Sequence, residues 1–412
     1  MSGKKDHIEI KKLSVLKPCH IQVPASKSES NRALIIRAIA GKGEIKNLST
    51  ARDTQTMERL LESRDHTLDV IDAGTTMRFL TAYLAIKGDD RIITGTPRMC
   101  ERPIGILVEA LRQLGARIEY LEKDGYPPLR IKGFRSTGLS EIKMKGDVSS
   151  QYISAILMIG PMLDKGIDLE LTGKISSRPY IDMTLGIMKQ FGVSASSQGN
   201  KIHIPKGNYK ETVFKVHPDW SGASYWYAIT ALADVAEVML ENFSLPSYKG
   251  DSQIKDIMLK LGVKSEFNNK GLLLTKTKHS DHVEFDFSDV PDLAQTVAVV
   301  CAARGITARM TGLESLRIKE TDRIAALQNE LSKIGGSLIE KNKHEWDLVP
   351  ARPDNLPEKI LVNTYDDHRM AMAFAPLATK MNLQIENAAV VNKSYPSFWS
   401  DMERAGFSID RT

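Results

Sequence analysis

"LRQLGARIEYLE", residues 111–122, shows how this chain is built. Its first half spaces leucines as a helix does and stops at Gly115, a plausible left-handed C-cap where only glycine escapes the Cβ penalty. Its second half alternates apolar and polar residues as a half-buried strand does. The same punctuation returns in "MKQFGV", "MLKLGV", "LSKIGG" and "MERAGF". The glycines are Gly115, Gly192, Gly262, Gly335 and Gly406, spaced by 77, 70, 73 and 71 residues. After the first four a short strand pair is expected, such as "ARIEYLE" then "LRIKGF". Before each lies another apolar helix and a strand such as "RIITG", "IDLELTG" or "ITARMTG".

Helix starts keep the same period. Six apolar helices each follow a polar cluster: "SKSESNR", "DAGTTMR", "GDVSSQ", "DWSGAS", "DVPDLAQ" and "YDDHR". With Ser28, Thr75, Ser150, Ser221, Asp292 and Asp367 as markers, the steps are 47, 75, 71, 71 and 75. The first unit is short and lacks a glycine-ended second helix. The chain therefore reads as six copies of helix–strand–helix–strand–strand in two groups of three, and 412 residues also suit two domains. Open solenoids are the usual outcome for repeats of this size. Here the chemically rich residues recur at helix amino termini, which argues for a convergent arrangement that concentrates positive dipole ends on an anionic ligand.

Composition fits that reading. Hydrophobic residues make up 42% and charged residues 26%, as in soluble globular proteins. The opening "MSGKKDHIEIKKL" has no apolar h-region, so no secretory signal is expected. The greasiest stretch, "YISAILMIGPML", is too short to span a bilayer and carries Pro161. Cys19, Cys100 and Cys301 lie far apart without metal-ligand spacing, which suits a reducing cytoplasm. A net charge of +5, with cations and acids alternating, calls for small anions, not nucleic acid or a membrane. No HExxH, CxxC, GxGxxG or P-loop pattern is present, so neither a metal nor a nucleotide cofactor is expected.

In "VPASKSESNRALIIRAIA", residues 23–40, Lys27 and Arg32 sit at the start of a helix whose run Ala33–Ala40 reads as buried. One serine would cap that helix; the cations are unwelcome at its positive end unless an anion lies beside them. "DAGTTMRF" puts Gly74 where a ligand can approach backbone N–H groups, although a plain glycine turn reads the same way. "PRMCERPIG" brackets a helix start with Arg98 and Arg102, with Pro103 suited to its first turn. "GDVSSQY" offers Ser149, Ser150 and Gln151, either serine also being a simple N-cap, and "SSRPYID" adds Ser177, Arg178 and Tyr180. Asp292 in "DVPDLAQT" stands where an N-cap belongs. In "RIKETDRIAALQNEL", Lys319 and Arg323 read as one helical turn apart on one face, which like charges avoid without an anion between them. "YDDHRMAMAF" begins a buried helix with Asp366, Asp367, His368 and Arg369, costly unless those groups are paired or working. Lys393 in "VVNKSYPSF" reads as a strand end ahead of a proline-opened helix.

Taken in order, "ASKSESNRAL", "DAGTTMRFL", "GTPRMCERPIG", "GDVSSQY", "SRPYID", "RIKETDRIAA", "YDDHRMAMAF" and "NKSYPSF" closely resemble the 5-enolpyruvylshikimate-3-phosphate synthase family, within the enolpyruvyl transferases. The resemblance covers nearly the whole chain. It implies an α/β fold of two similar domains, each of three βαβαββ units around buried parallel helices, an inside-out α/β barrel. It further implies a discontinuous first domain, 1–21 with 218–412, carrying the catalytic Asp and Glu. The second domain, 22–217, would hold most shikimate 3-phosphate contacts. "CHIQVPA" and "KVHPDWSG" would be the hinges for closure.

The implied reaction moves the enolpyruvyl group of phosphoenolpyruvate to the 5-hydroxyl of shikimate 3-phosphate and releases phosphate, on the way to chorismate, without a cofactor. By this resemblance Glu320, helped by Lys27, protonates the methylene carbon, and Asp292 takes the hydroxyl proton. Lys27, Ser28, Arg32, Ser149, Ser150, Gln151, Ser177, Asp292, Ser315 and Lys319 would bind shikimate 3-phosphate. Lys27, Gly74, Arg102, Gln151, Arg323, Arg369 and Lys393 would bind phosphoenolpyruvate. A cytoplasmic monomer with small-molecule partners alone, and a target of glyphosate, is the expectation.

Three positions depart from the family pattern: Asp72 for asparagine, Phe79 for proline and Ser315 for asparagine. Asp72 would bring a carboxylate near the donor phosphate, and Phe79 could reposition the Gly74 turn. Two alternatives stand beside this reading. A UDP-N-acetylglucosamine enolpyruvyl transferase would want a reactive cysteine, for which Cys100 is placed, but "KSESNR" and "SSQY" match the shikimate side. A non-catalytic anion-binding homologue would need neither Asp292 nor Glu320. A nucleic-acid-binding repeat protein would need a basic stripe and stacking aromatics that the chain lacks.

Overall fold

All five punctuating glycines take left-handed backbone, with φ from 84° at Gly335 to 116° at Gly115. The helix Gly105–Leu114 closes directly on Gly115, and a Cβ there would collide with the Arg135 carbonyl of the returning hairpin. This computed structural model describes residues 7–245 and 250–411. The stretch "MSGKKD", on which the reading of a missing signal partly rests, lies outside the described residues.

Chain contacts divide the molecule into Ala25–His217 and a discontinuous unit of Met1–Pro24 with Pro218–Thr412. In Ala25–His217, Thr67–Asp69 runs parallel to Asp90–Thr94, which pairs antiparallel with Leu129–Phe134, itself antiparallel to Ala116–Tyr120. Glu141–Lys145, Ile167–Thr172, Lys201–Ile204 and Ser196–Gln198 repeat that order. The short first repeat leaves only a parallel pair, Glu44–Lys46 with Val213–Lys215. Its second helix, Arg52–Glu62, ends at Ser63, not at a glycine.

Among the described residues the discontinuous unit has three four-stranded sheets of the same order. His282–Asp286, Thr307–Thr311, Glu345–Val349 and Ser337–Asn342 form one. In another, the amino-terminal strand His7–Ile10 lies between Asn382–Glu386 and Ile409–Arg411, the place a hairpin strand holds elsewhere. In the third, Cys19–Ile21 pairs parallel with Glu237–Glu241. Thus Cys19–Ile21 completes a sheet of the unit that the chain leaves after Pro24, and Val213–Lys215 does the same for the unit left after His217.

Each repeat pairs a helix buried nearly all round with a striped one. Trp220–Leu232, Ala294–Arg304 and His368–Phe374 are almost wholly buried, whereas Arg323–Ser332 buries one face. Fully burying one side chain such as Phe374 contributes roughly 1.5–3 kcal/mol. Lys27–Ala40 is buried from Glu29 through Ile36, but its last four residues are only half-buried, so the run expected to be buried as far as Ala40 stops short. No described helix is long and apolar enough to cross a membrane.

Candidate active site

Hydrogen bonds in Ala25–His217 link helix starts to one another. Ser26 caps Lys27–Ala40 by accepting from the Glu29 amide, so Lys27 opens the first turn. Lys27 Nζ lies 3.0 Å from Asp53 Oδ2, and the Asp53 carbonyl accepts from Thr76 Oγ1 in the next inner helix. Beside Thr76, Thr75 Oγ1 accepts from Gln151 Nε2 at 3.2 Å, in the helix Ser150–Ile159. Ser149 is that helix's cap, accepting from the Gln151 amide, and Ser150 is its buried first residue. The starts of four helices are thereby joined.

The helix Gly74–Lys87 has Ala73 at its cap and no side-chain cap bond. A Cβ on Gly74 would stand 2.8 Å from both terminal nitrogens of Arg102. A guanidinium therefore rests against an uncapped positive helix end, an arrangement that favours a bound anion. Buried Arg78 holds the Arg102 loop through the Pro103 carbonyl at 2.8 Å, and Tyr152 Oη donates to that same carbonyl.

Arg32 is 2% exposed and lies among neutral acceptors. Nε donates to Thr184 Oγ1 at 2.7 Å, Nη1 to the Ser28 carbonyl at 2.9 Å, and Nη2 to Ser154 Oγ at 3.2 Å. Its Cζ stands 5.3 Å from the centre of the Phe79 ring. Among the described residues no carboxylate forms an ion pair with it, and burial lowers its affinity for the proton to about 10. Ser177 sits at the cap of Arg178–Gln190 with φ 56° and makes no side-chain cap bond.

In the discontinuous unit the acids and cations form one cluster. Asp292 Oδ2 lies 2.8 Å from Arg369 Nη2, and Oδ1 lies 3.1 Å from Arg323 Nη1 and 3.8 Å from Lys319 Nζ. Glu320 Oε2 is 2.9 Å from Arg323 Nη2, and Oε1 is 3.7 Å from buried Lys393 Nζ. Asp367 caps His368–Phe374 through the Arg369 amide and holds Arg323 Nε at 2.6 Å. Burial pushes the Asp292 carboxyl up, but Arg369, Lys319 and Arg323 together pull it well below the usual carboxylate range. Burial likewise opposes the charge on Arg323, and Asp367, Glu320 and Asp292 more than offset it. Ser315 is exposed on the 3-10 turn Glu314–Ile318 that leads to Lys319.

Several local expectations are corrected. Asp292 is not a cap: it lies in the 3-10 turn Pro291–Leu293, and its carboxylate turns to the cations. Lys319 precedes the helix Arg323–Ser332, whose cap is Asp322, so Lys319 and Arg323 share Asp292 and not a helical face. Pro103 falls before the Ile104 cap of Gly105–Leu114, while Pro97 opens the short helix Pro97–Cys100. Lys393 ends the 3-10 turn Ala388–Lys393, and Pro396 precedes the Ser397 cap instead of opening the helix. Asp72 is not a bare carboxylate, since both its oxygens lie 2.9 Å from Arg52 Nη2. Phe79 is buried in mid-helix against Arg32.

Sequence reasoning passed over Asp53, Arg52 and Arg78. Only "ARDTQT" ahead of a striped helix signalled the first two, and nothing in it named their partners.

Fold and clusters define an α/β protein of repeated helix–strand units in which cations, carboxylates and serines collect at helix starts within each unit. The chain belongs to the EPSP synthase (3-phosphoshikimate 1-carboxyvinyltransferase) family, which it matches over residues 58–402. It is 50% identical over 395 residues to the 3-phosphoshikimate 1-carboxyvinyltransferase of Bacteroides fragilis, covering 94% of this chain and 95% of that one. It is 35% identical to the enzyme of the same name from Burkholderia vietnamiensis, covering 92% and 94%. The solved EPSP synthase of Acinetobacter baumannii superposes with a TM-score of 0.79 at 20% identity, over 99% of this chain and 100% of that one, which shows the fold. The expected fold class is the one observed.

Proposed function

We propose that this chain transfers the carboxyvinyl group of phosphoenolpyruvate to the 5-hydroxyl of shikimate 3-phosphate and releases phosphate. The reaction runs by addition and elimination through a tetrahedral intermediate, on the route to chorismate. The observation that carries this reading is the Asp292 carboxylate held by Lys319, Arg323 and Arg369, with Glu320 on the same Arg323. A base and an acid among guanidinium groups suit a reaction that moves protons on polyanions, because guanidinium binds carboxylate and phosphate in bidentate fashion.

In Ala25–His217 we assign the acceptor to Lys27, Ser28, Arg32, Ser149, Ser150, Gln151 and Ser177, and the donor to Lys27, Gly74, Arg102 and Gln151. In the discontinuous unit the acceptor takes Asp292, Ser315 and Lys319, and the donor takes Arg323, Arg369 and Lys393. A buried Arg32 without a carboxylate partner among the described residues gains most from the acceptor's carboxylate.

Glu320 then gives a proton to the methylene carbon, leaving C2 open to the 5-hydroxyl, whose proton passes to Asp292. In the bare cluster Asp292 is a weak base because three cations stabilise its charge. Anions arriving on Arg323, Arg369 and Lys319 weaken that hold and return Asp292 toward ordinary basicity. The same exchange at Arg323 and Lys393 frees the Glu320 carboxyl from its ion pairs for proton transfer. Elimination of phosphate reverses both transfers. These steps use side chains alone, and the reading includes a cytoplasmic monomer inhibited by glyphosate.

Proton NMR of a mixture with both substrates tests this: the vinyl signals of phosphoenolpyruvate should be replaced by those of an enol ether on the shikimate ring. Conversion with UDP-N-acetylglucosamine in place of shikimate 3-phosphate would overturn the acceptor.

A further inference from the structure

We infer that Arg52 is a specificity-determining residue for the phosphate-bearing donor: by holding Asp72 it keeps the amino end of the helix Gly74–Lys87 receptive to an anion. The inference rests on the donor assignment of Gly74 and Arg102 made above. Asp72 lies just ahead of Gly74, at the helix end that has no side-chain cap and against which Arg102 is packed. Two residues ahead of that end, an unneutralised carboxylate would oppose a phosphate arriving at its N–H groups. Arg52 removes that conflict, with Nη2 2.9 Å from each Asp72 oxygen.

Helix stability does not account for Arg52. It is the first residue of Arg52–Glu62, where a cation opposes the dipole, and Ala51 supplies no cap bond. Its Nε is buried and makes no hydrogen bond among the described residues. Nor is Arg52 needed to shape the turn that carries Asp72. That turn is held by the Ile71 amide on Asp69 Oδ1 at 2.7 Å, the Ala73 amide on the Val70 carbonyl, and the Thr96 amide on the Ile71 carbonyl. The adjacent Asp53 neutralises Lys27 in the opposite sense, so the dipeptide Arg52–Asp53 tempers one anion and one cation at neighbouring helix starts.

A double-mutant cycle decides it. Arg52→Ala should raise KM for phosphoenolpyruvate about fivefold or more, because a partly screened like charge now faces the donor phosphate. KM for shikimate 3-phosphate should move far less. Adding Asp72→Asn to Arg52→Ala should bring the donor KM back to within about twofold of wild type, since the repelling charge is gone. An unchanged donor KM in Arg52→Ala, or a double variant as poor as the single one, would overturn the inference in favour of a structural pair. Wild-type turnover in the same assay checks the donor assignment separately. If wild type does not turn over, the cycle is read as the affinity for inorganic phosphate by calorimetry, with the same pattern expected and the same pattern overturning it.

Discussion

Arg323 and Asp367 form an ion pair sealed from water: Nε stands 2.6 Å from Oδ2, with 2% and 0% of the two side chains exposed. The same carboxylate caps the helix that carries Arg369. One acid therefore aims one guanidinium and fixes the helix start of another. Asp367→Ala removes a buried charge-assisted hydrogen bond and a helix cap, while Asp292 and Glu320 still face Arg323, so it should lower unfolding free energy by about 1–3 kcal/mol in denaturant titrations. Asp367→Asn keeps a capping oxygen and should lose less stability, yet still raise KM for the donor.

Arg32 poses the reverse case. Its charge is buried among Thr184, Ser154 and the Ser28 carbonyl with no ion-pair partner among the described residues. Arg32→Met removes a poorly compensated charge and fills similar volume, so the free protein should keep or gain thermal stability. Shikimate 3-phosphate should raise the melting temperature of wild type and fail to raise that of the variant. A large loss of stability in the free variant, with the ligand shift retained, would contradict the assignment.

Gly74 has ordinary helical backbone, so Gly74→Ala brings no backbone strain; the nearest atoms its methyl meets are those of the Arg102 guanidinium, at 2.8 Å. Arg102 can swing aside, leaving the fold intact and the anion site displaced. A melting temperature near wild type, with KM for phosphoenolpyruvate raised about tenfold or more, is the expected outcome in steady-state kinetics.

Which carboxylate meets which cation was not legible in the sequence. The period of the five glycines and the six polar helix starts gave the repeats, because C-caps and N-terminal clusters are local in the chain. Asp292 looked like a cap from its neighbours, but its partners Lys319, Arg323 and Arg369 are distant in sequence. Asp72 with Arg52 and Asp53 with Lys27 are likewise long-range pairs on which propensity is silent. Cys19–Ile21 falls in "CHIQVPA" and Lys215 in "KVHPDWSG", both expected only as hinges, and it is long-range pairing that makes Cys19–Ile21 and Val213–Lys215 strands of the unit being left.

His217 closes the unit begun by Ala25, its amide and Nδ1 both 3.0 Å from Glu29 Oε2. The Glu29 hydrogen bond raises the imidazole above its ordinary 6.5, with burial opposing. The charged form is thus favoured by folding. Its stabilisation is fully present below the unfolded value near 6.5 and is lost as pH climbs through the higher folded value. Melting temperature should fall more steeply just above pH 6.5 in wild type than in Glu29→Gln. Parallel curves would remove His217 from the account.

The most direct measurement is phosphate release on mixing the protein with shikimate 3-phosphate and phosphoenolpyruvate, with Lys27→Ala and Asp292→Ala alongside. The account predicts release that requires both substrates and collapses in both variants. Release from phosphoenolpyruvate alone, or full release by the Asp292 variant, would contradict it.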